Sequence, residues 1–220
     1  SHSDSPCWKI KADMPENEGC RRLSVEGYGG MIMASWLDRP LTVGGRVLVK
    51  TQDGVQSRLV YIDRDLLVIP SLAIHFQRDV NKGKVFNPQI DMQPLWGPAG
   101  SRTLTDLVCE ELGITAEDIL DWDLQLVTRQ APVQIGPDNE YFMAPRIDDL
   151  ECAATTLLAF LDASGEADSA CAPVWAMFDN EEVGSSSRMG AESSFLRDVL
   201  DRILDAVPHS GQAAARAMAN

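Results

Sequence analysis

Val174-Trp175-Ala176-Met177-Phe178-Asp179-Asn180-Glu181-Glu182-Val183-Gly184 is the stretch on which the fold turns, because five apolar residues run directly into a group of acids. A short apolar run bounded by turn residues reads as a buried strand. Successive strand side chains face opposite ways, so two adjacent glutamates serve one site only where the strand is turning into a loop. Gly184 and the serines after it provide that turn. In open α/β sheets ligands collect beyond the carboxyl ends of strands, and Glu181 and Glu182 stand at such a place. A solvated acidic loop is the commonest fate of such a sequence, so both readings stay open at this point.

Working outward, Leu150, Ala153, Ala154, Leu157, Leu158 and Leu161 recur at helical spacing and form one apolar stripe. On the other side Ser193 opens a helix carrying Phe195, Leu196, Val199, Leu200, Ile203, Leu204 and Val207, and residues 213–219 frame another. Further upstream the texture changes. Trp8-Lys9-Ile10-Lys11 suits a strand end, and Gly27, Gly29 and Gly30 mark turns. Residues 46–50, 57–61 and 65–69 are short β-branched runs, the first two joined around the hairpin signal Asp53-Gly54. Residues 103–112 read as a helix stopped by Gly113, Thr115 with Asp118 as a capping-box start, and 123–129 as another strand. The Pro-punctuated segment 70–102 reads as a long irregular connection, a length usually functional or contact-making. This order predicts an α/β core interrupted by a separate β-rich block.

A chain of 220 residues with 45% hydrophobic content can build a real core. Nineteen basic against thirty-three acidic residues give a net charge of −14, with no basic run able to track phosphates, which argues against nucleic acid. No apolar stretch approaches the ~20 residues that span a bilayer, so no membrane role is expected. The five cysteines, Cys7, Cys20, Cys109, Cys152 and Cys171, are odd in number and form no C-x-x-C pair. That predicts reduced thiols and a cytoplasmic location. Ser1 in place of an initiating Met predicts that the native start lies elsewhere.

Three constellations can carry chemistry. His2-Ser3-Asp4 sets an imidazole two residues from a carboxylate that can fix its tautomer for metal binding; the bland reading is a solvated terminal histidine. Arg146-Ile147-Asp148-Asp149 precedes the leucine stripe, so its acids read first as helix caps. In the functional reading one acid caps while the other bridges metal ions. The third is Asp179-Asn180-Glu181-Glu182. Together, one His, one Asp and one Glu with a further Glu to spare are what a hydrolytic zinc site needs, ligands plus a general base.

These residues, with Ser5-Pro6-Cys7, Lys9-Ile10-Lys11, Trp36-Leu37-Asp38-Arg39-Pro40-Leu41, Gly44-Gly45-Arg46, Ile69-Pro70-Ser71-Leu72-Ala73-Ile74-His75, Ala144-Pro145-Arg146-Ile147-Asp148 and Val183-Gly184-Ser185, resemble the aspartyl aminopeptidases, dinuclear zinc exopeptidases. The resemblance implies a phosphorylase-like α/β/α aminopeptidase core, present in part, interrupted by an inserted β-rich dimerisation domain. Its boundaries would be 1–34 for the first part of the catalytic domain, 35–140 for the insert and 141–220 for the second part. It also implies removal of N-terminal residues, with acidic ones as candidates, from peptide substrates.

For the site, the resemblance implies His2 and Glu182 as terminal zinc ligands, Asp148 as the bridging ligand, Asp4 as the acid orienting His2, and Glu181 as general base. His75 would reach into a neighbouring subunit's site in a dimer-based homo-oligomer, as large as a dodecamer. Two positions depart from the family pattern: Met189 stands where Gln is usual, and Asp149 where Asn is common. The pattern also implies an upstream segment, and a downstream one supplying an Asp and a His ligand, beyond residues 1 and 220. The rival readings are a catalytically incomplete assembly or binding fragment, and a related metal-dependent deacylase.

Overall fold

Leu41, Val43, Val47 and Val49 occupy every second position of one strand apart from Gly45, and all four are buried, the period expected when one sheet face meets a core. The computed structural model describes residues 1–13, 19–164, 172–206 and 211–219, which divide into two units, Pro6–Pro145 and Ser1–Ser5 with Arg146–Asn220. Cys171 and Val207 lie outside the described residues.

The unit Pro6–Pro145 is built on β1 (Cys7–Asp13), β2 (Cys20–Tyr28), β3 (Leu41–Thr51), β4 (Gly54–Tyr61), β5 (Leu95–Pro98) and β6 (Ile119–Thr128), in the order β4-β3-β6-β1-β2-β5 with every pairing antiparallel. A separate ribbon pairs β7 (Val133–Ile135) with β8 (Tyr141–Met143). Two helices belong here, α1 (Pro88–Asp91) and α2 (Leu104–Leu112). Trp8, Leu23, Val43, Val60 and Leu126 from five strands meet Leu104, Leu107 and Val108 of α2 in one core. Gly113 ends α2 in the left-handed conformation at φ 63°, as the sequence predicts; the predicted capping box of Thr115 and Asp118 is present, and Thr103 with Asp106 forms a second one at the start of α2.

Three expectations change here. Gly27 is a paired strand residue opposite Trp8 rather than a turn. Residues 65–69 make only isolated bridges, Leu67 to Leu41, Val68 to Leu95 and Ile69 to Leu37. The segment after Pro70 is more ordered than its prolines suggest. It holds α1 and β5, and the buried Gln93 amide oxygen accepts from Val25 N–H at 3.1 Å while its NH2 donates to the Pro88 carbonyl at 3.0 Å. One side chain thereby ties an irregular segment to the sheet, a long-range bond that local periodicity does not encode.

In the other unit, helices α3 (Ile147–Ser164), α4 (Phe195–Ala206) and α5 (Gly211–Ala219) match the predicted helices. The predicted strand over 174–178 is reduced to one parallel bridge, Phe178 with His2. A strand exists through its main-chain pairing, and among the described residues this segment makes one bridge, to His2. Trp175 instead donates its indole N–H to the Thr156 hydroxyl of α3 at 2.9 Å. The leucine stripe of α3 has the right spacing, but only Ala153 is buried and Leu158 stays 61% exposed. The whole chain is therefore mixed α/β with a mostly antiparallel sheet.

Candidate metal centre

The Phe178 bridge places the site. Phe178 N–H donates to the Ser1 carbonyl at 3.0 Å and Ser3 N–H to the Phe178 carbonyl at 2.9 Å, so His2 lies alongside the end of the apolar run. The chain then turns. Asp179 N–H reaches the Met189 carbonyl at 3.2 Å, Gly184 N–H the Glu181 carbonyl at 2.8 Å, and Gly184 takes φ +100°. Gly190 is buried where a Cβ would overlap the Ser185 carbonyl, which packs the loop back on itself. The Met189 departure thus holds the loop through its main chain, while its side chain is exposed.

Asp4 fixes the two halves together. Its Oδ1 lies 3.0 Å from His2 Nδ1 and accepts from Glu181 N–H at 3.1 Å, and its Oδ2 accepts from Glu182 N–H at 3.1 Å. With Nδ1–H donated to Asp4, His2 presents Nε2 at the far side of its ring, 3.2 Å from Asp148 Oδ1. Asp148 sits at the irregular start of α3, where it and Asp149 have non-helical φ and ψ and share a cis peptide bond. Its carbonyl accepts from the Ser5 hydroxyl at 3.2 Å.

His2, Asp148 and Glu182 each offer one ligand atom, and these atoms lie within 4.8 Å of one another. Glu181 stands beside them with its side chain exposed. Desolvation and the negative charges of Asp148 and Asp4 hold the Glu182 carboxyl above its ordinary value. Burial alone pulls the His2 imidazole down, but hydrogen bonds and charge from Asp4, with Asp148, outweigh it and the net shift is upward. In both groups the neighbouring acids favour the protonated form, and such a gathering of negative charge is where a cation stabilises most. The donor set, one imidazole nitrogen and two carboxylates around a pocket reached from solvent, fits zinc.

The sequence-predicted residues His2, Asp4, Asp148, Glu181 and Glu182 are thus brought together. His75 belongs to the other unit, exposed in a turn. For Asp149 the sequence leaves two readings open, a helix cap or the acid that bridges metal ions. In the structure its Oδ2 accepts from His2 N–H at 3.0 Å, and its carboxyl is held below the ordinary range by the Cys152 thiol and then by that amide. Ser3 and Ser5 also hold the site, Ser3 by donating its hydroxyl to Asp179 at 3.2 Å. No local signal marks either serine beyond its neighbours in His2-Ser3-Asp4-Ser5.

Residues 1–220 match the family described as aminopeptidase I zinc metalloprotease (M18). The probable M18 family aminopeptidase 2 of Clostridium acetobutylicum is 39% identical over 212 residues, covering 92% of this chain and 48% of that protein. Among solved structures, that of an Ape4 and Nbr1 complex aligns with a TM-score of 0.86 at 34% identity, covering 96% of this chain and 45% of the other. The mApe1 dodecamer of S. cerevisiae aligns with a TM-score of 0.77 at 26% identity, covering 96% and 49%. The chain spans about half the length of the curated relatives it matches.

Proposed function

The chain belongs to the M18 family of aminopeptidase I zinc metalloproteases, and on that premise we propose that it carries the larger part of the catalytic site of an enzyme that releases N-terminal amino acids from peptides. The observation that supports this most is the convergence of His2, Asp148 and Glu182 on one small volume. His2 and Glu182 would be terminal ligands and Asp148 the carboxylate shared within a dinuclear site. When bound, zinc supplies Lewis-acid chemistry, acidifying water and polarising a peptide carbonyl.

The chain's own residues do the rest. Asp4 keeps the His2 proton on Nδ1, so Nε2 stays free as a donor atom. The same carboxylate holds the Glu181 and Glu182 amides and so sets the direction of both side chains. Glu182, half-buried, is turned to the pocket, and Glu181 is left in contact with solvent. Glu181 is the general base: it takes the proton of the attacking water, holds it on its carboxylate and returns it to the leaving amine.

The assembly belongs to the same proposal. The region 35–140 is the inserted dimerisation domain of an α/β/α core, His75 contributes to a neighbouring subunit's site, and the protein forms a dimer-based homo-oligomer, as the dodecamer of the S. cerevisiae relative supports. Acidic N-terminal residues are the proposed substrates and the cytoplasm the proposed location. The thiols of Cys109 and Cys152, outside any disulfide, support a reducing compartment. No helix among the described residues is long and apolar enough to cross a membrane.

The test is Glu181→Gln in the intact enzyme, assayed on aminoacyl anilides beside their N-acylated forms, with zinc content measured in parallel. Zinc retained with turnover reduced by ~10²-fold or more is the expected result. Wild-type turnover in Glu181→Gln would remove the base assignment, and cleavage confined to N-acylated substrates would replace the aminopeptidase with a deacylase.

A further inference from the structure

We propose that Asp149 is a positioning residue that fixes the main chain of the ligand His2, so that Asp148 and Asp149 hold opposite ends of one residue. This rests on the metal-site reading above. In the parallel bridge with Phe178, the bonded groups belong to Ser1 and Ser3, so His2's own N–H points away from Phe178, to the side where a neighbouring strand would lie. Asp149 Oδ2 fills that place, accepting the His2 N–H at 3.0 Å. The preceding residue, Asp148, faces the His2 ring at 3.2 Å. Ring and main chain of His2 are thereby referred to two successive residues at the start of α3, and Asp4 sets the ring's other nitrogen.

The carboxylate is itself oriented. The Cys152 thiol, one turn on in α3, donates to the same carboxylate. A charged acceptor makes a shorter and stronger bond to an amide than a neutral one does, and this bond secures a residue that has Phe178 on its other side. Removing it leaves the His2 main chain held on one edge only, so Nε2 loses its fixed relation to Asp148 and Glu182. Groups that orient a ligand without touching the metal commonly account for ~10–100-fold in metal affinity.

The experiment compares wild type, Asp149→Ala and Asp149→Asn in the intact enzyme. Zinc affinity is read by competition with a chromophoric chelator, the site geometry by the visible spectrum of the cobalt-loaded protein, and the His2 amide by hydrogen exchange in metal-free protein. Asp149→Ala should lose about tenfold or more in zinc affinity, with a weakened cobalt spectrum and an unprotected His2 amide. Asp149→Asn keeps an acceptor oxygen and should restore most of the affinity, with His2 protection between the other two. That partial loss is readable even where Asp149→Ala does not fold. Wild-type protection of the His2 amide in Asp149→Ala, or in Asp149→Asn if the alanine variant does not fold, overturns the proposal. A wild-type chain that binds neither metal counts against the metal-site reading instead, and the amide measurement still decides the role of Asp149.

Discussion

Asp4 accepts from His2 Nδ1–H and Glu181 N–H on Oδ1, and from Glu182 N–H on Oδ2. Its side chain is 6% exposed, so water cannot replace a lost partner. An Asn at this position has one oxygen, and either amide orientation sets its NH2 against a donor. Asp4→Asn is therefore expected to lower zinc affinity by ~10–100-fold in a chelator competition titration, and an undiminished affinity would show that Asp4 does not organise the site. The His2-x-Asp4 spacing is legible in the sequence because it is local. The hold of Asp4 on residues 177 and 178 positions away is not, nor is that of Asp149 on His2, since neither leaves a pattern in its neighbours. A second acid acts on stability. Asp91 accepts from Lys84 Nζ at 2.8 Å and from Asn87 N–H at 2.7 Å, and the Lys84 bond, with burial opposing it, lowers its pKa from 3.8. A depressed folded pKa adds stability above the unfolded value that is lost as pH falls through the folded one. Asp91→Asn should thus cost about 1.5–3 kcal/mol at pH 7, with the difference from wild type shrinking below about pH 4. Urea unfolding at both pH values reads this, and a pH-independent difference would remove the charge from the explanation.

Among elements, β3 depends on a residue with no side chain. Gly45 takes φ +148°, and a Cβ there would overlap the Asp123 carbonyl of β6, its partner strand. Gly45→Ala should therefore destabilise by at least ~2 kcal/mol, seen as a lower urea midpoint with β3 and β6 amides exchanging faster. An unchanged midpoint would mean the pairing gives way cheaply. Thr103→Ala tests the α2 cap: losing the hydroxyl that accepts from Asp106 N–H at 3.1 Å should cost about 1 kcal/mol by the same measurement. These two elements differ in how far the sequence foretells them. The start and stop of α2 are written in Thr103, Asp106 and Gly113, within ten residues of one another, and the β3–β4 hairpin in Asp53-Gly54. The neighbours of β6 are not, because β3 and β1 flank it from distant parts of the chain, and pairing at that range is decided by packing. The run 174–178 fails for the same reason: its composition suits a strand, and its pairing is limited to one bridge.

At the scale of the molecule, burial is distributed unequally. Among the described residues the large fully buried apolar side chains, Trp8, Leu23, Leu41, Ile69, Met92 and Leu104 among them, all belong to the unit Pro6–Pro145, while α4 has none and Ile203 on it is 53% exposed. Each buried aliphatic or aromatic side chain contributes ~1.5–3 kcal/mol relative to exposure, and helices that bury no such stripe retain little beyond their intrinsic propensity, marginal at these lengths. Local opening free energies should follow the same division. In the 220-residue chain, amides of β3 and β6 are expected to exchange only through global unfolding of their unit. Those of α3 and α4 should exchange through local opening, with protection lower by at least ~100-fold, about 2.7 kcal/mol. Hydrogen exchange read by mass spectrometry separates the two regions. Equal protection in α4 and β3 would contradict the division, and would mean that the exposed leucines of α3 and α4 are covered in solution. Zinc adds a second reading of the same experiment, because His2, Asp148 and Glu182 draw on the first residues, the start of α3 and the loop after Phe178. A ligand that binds only the folded unit stabilises it in proportion to its concentration over Kd. Excess zinc should therefore slow exchange at residues 147–160 and 178–190 and leave β3 and β6 unchanged.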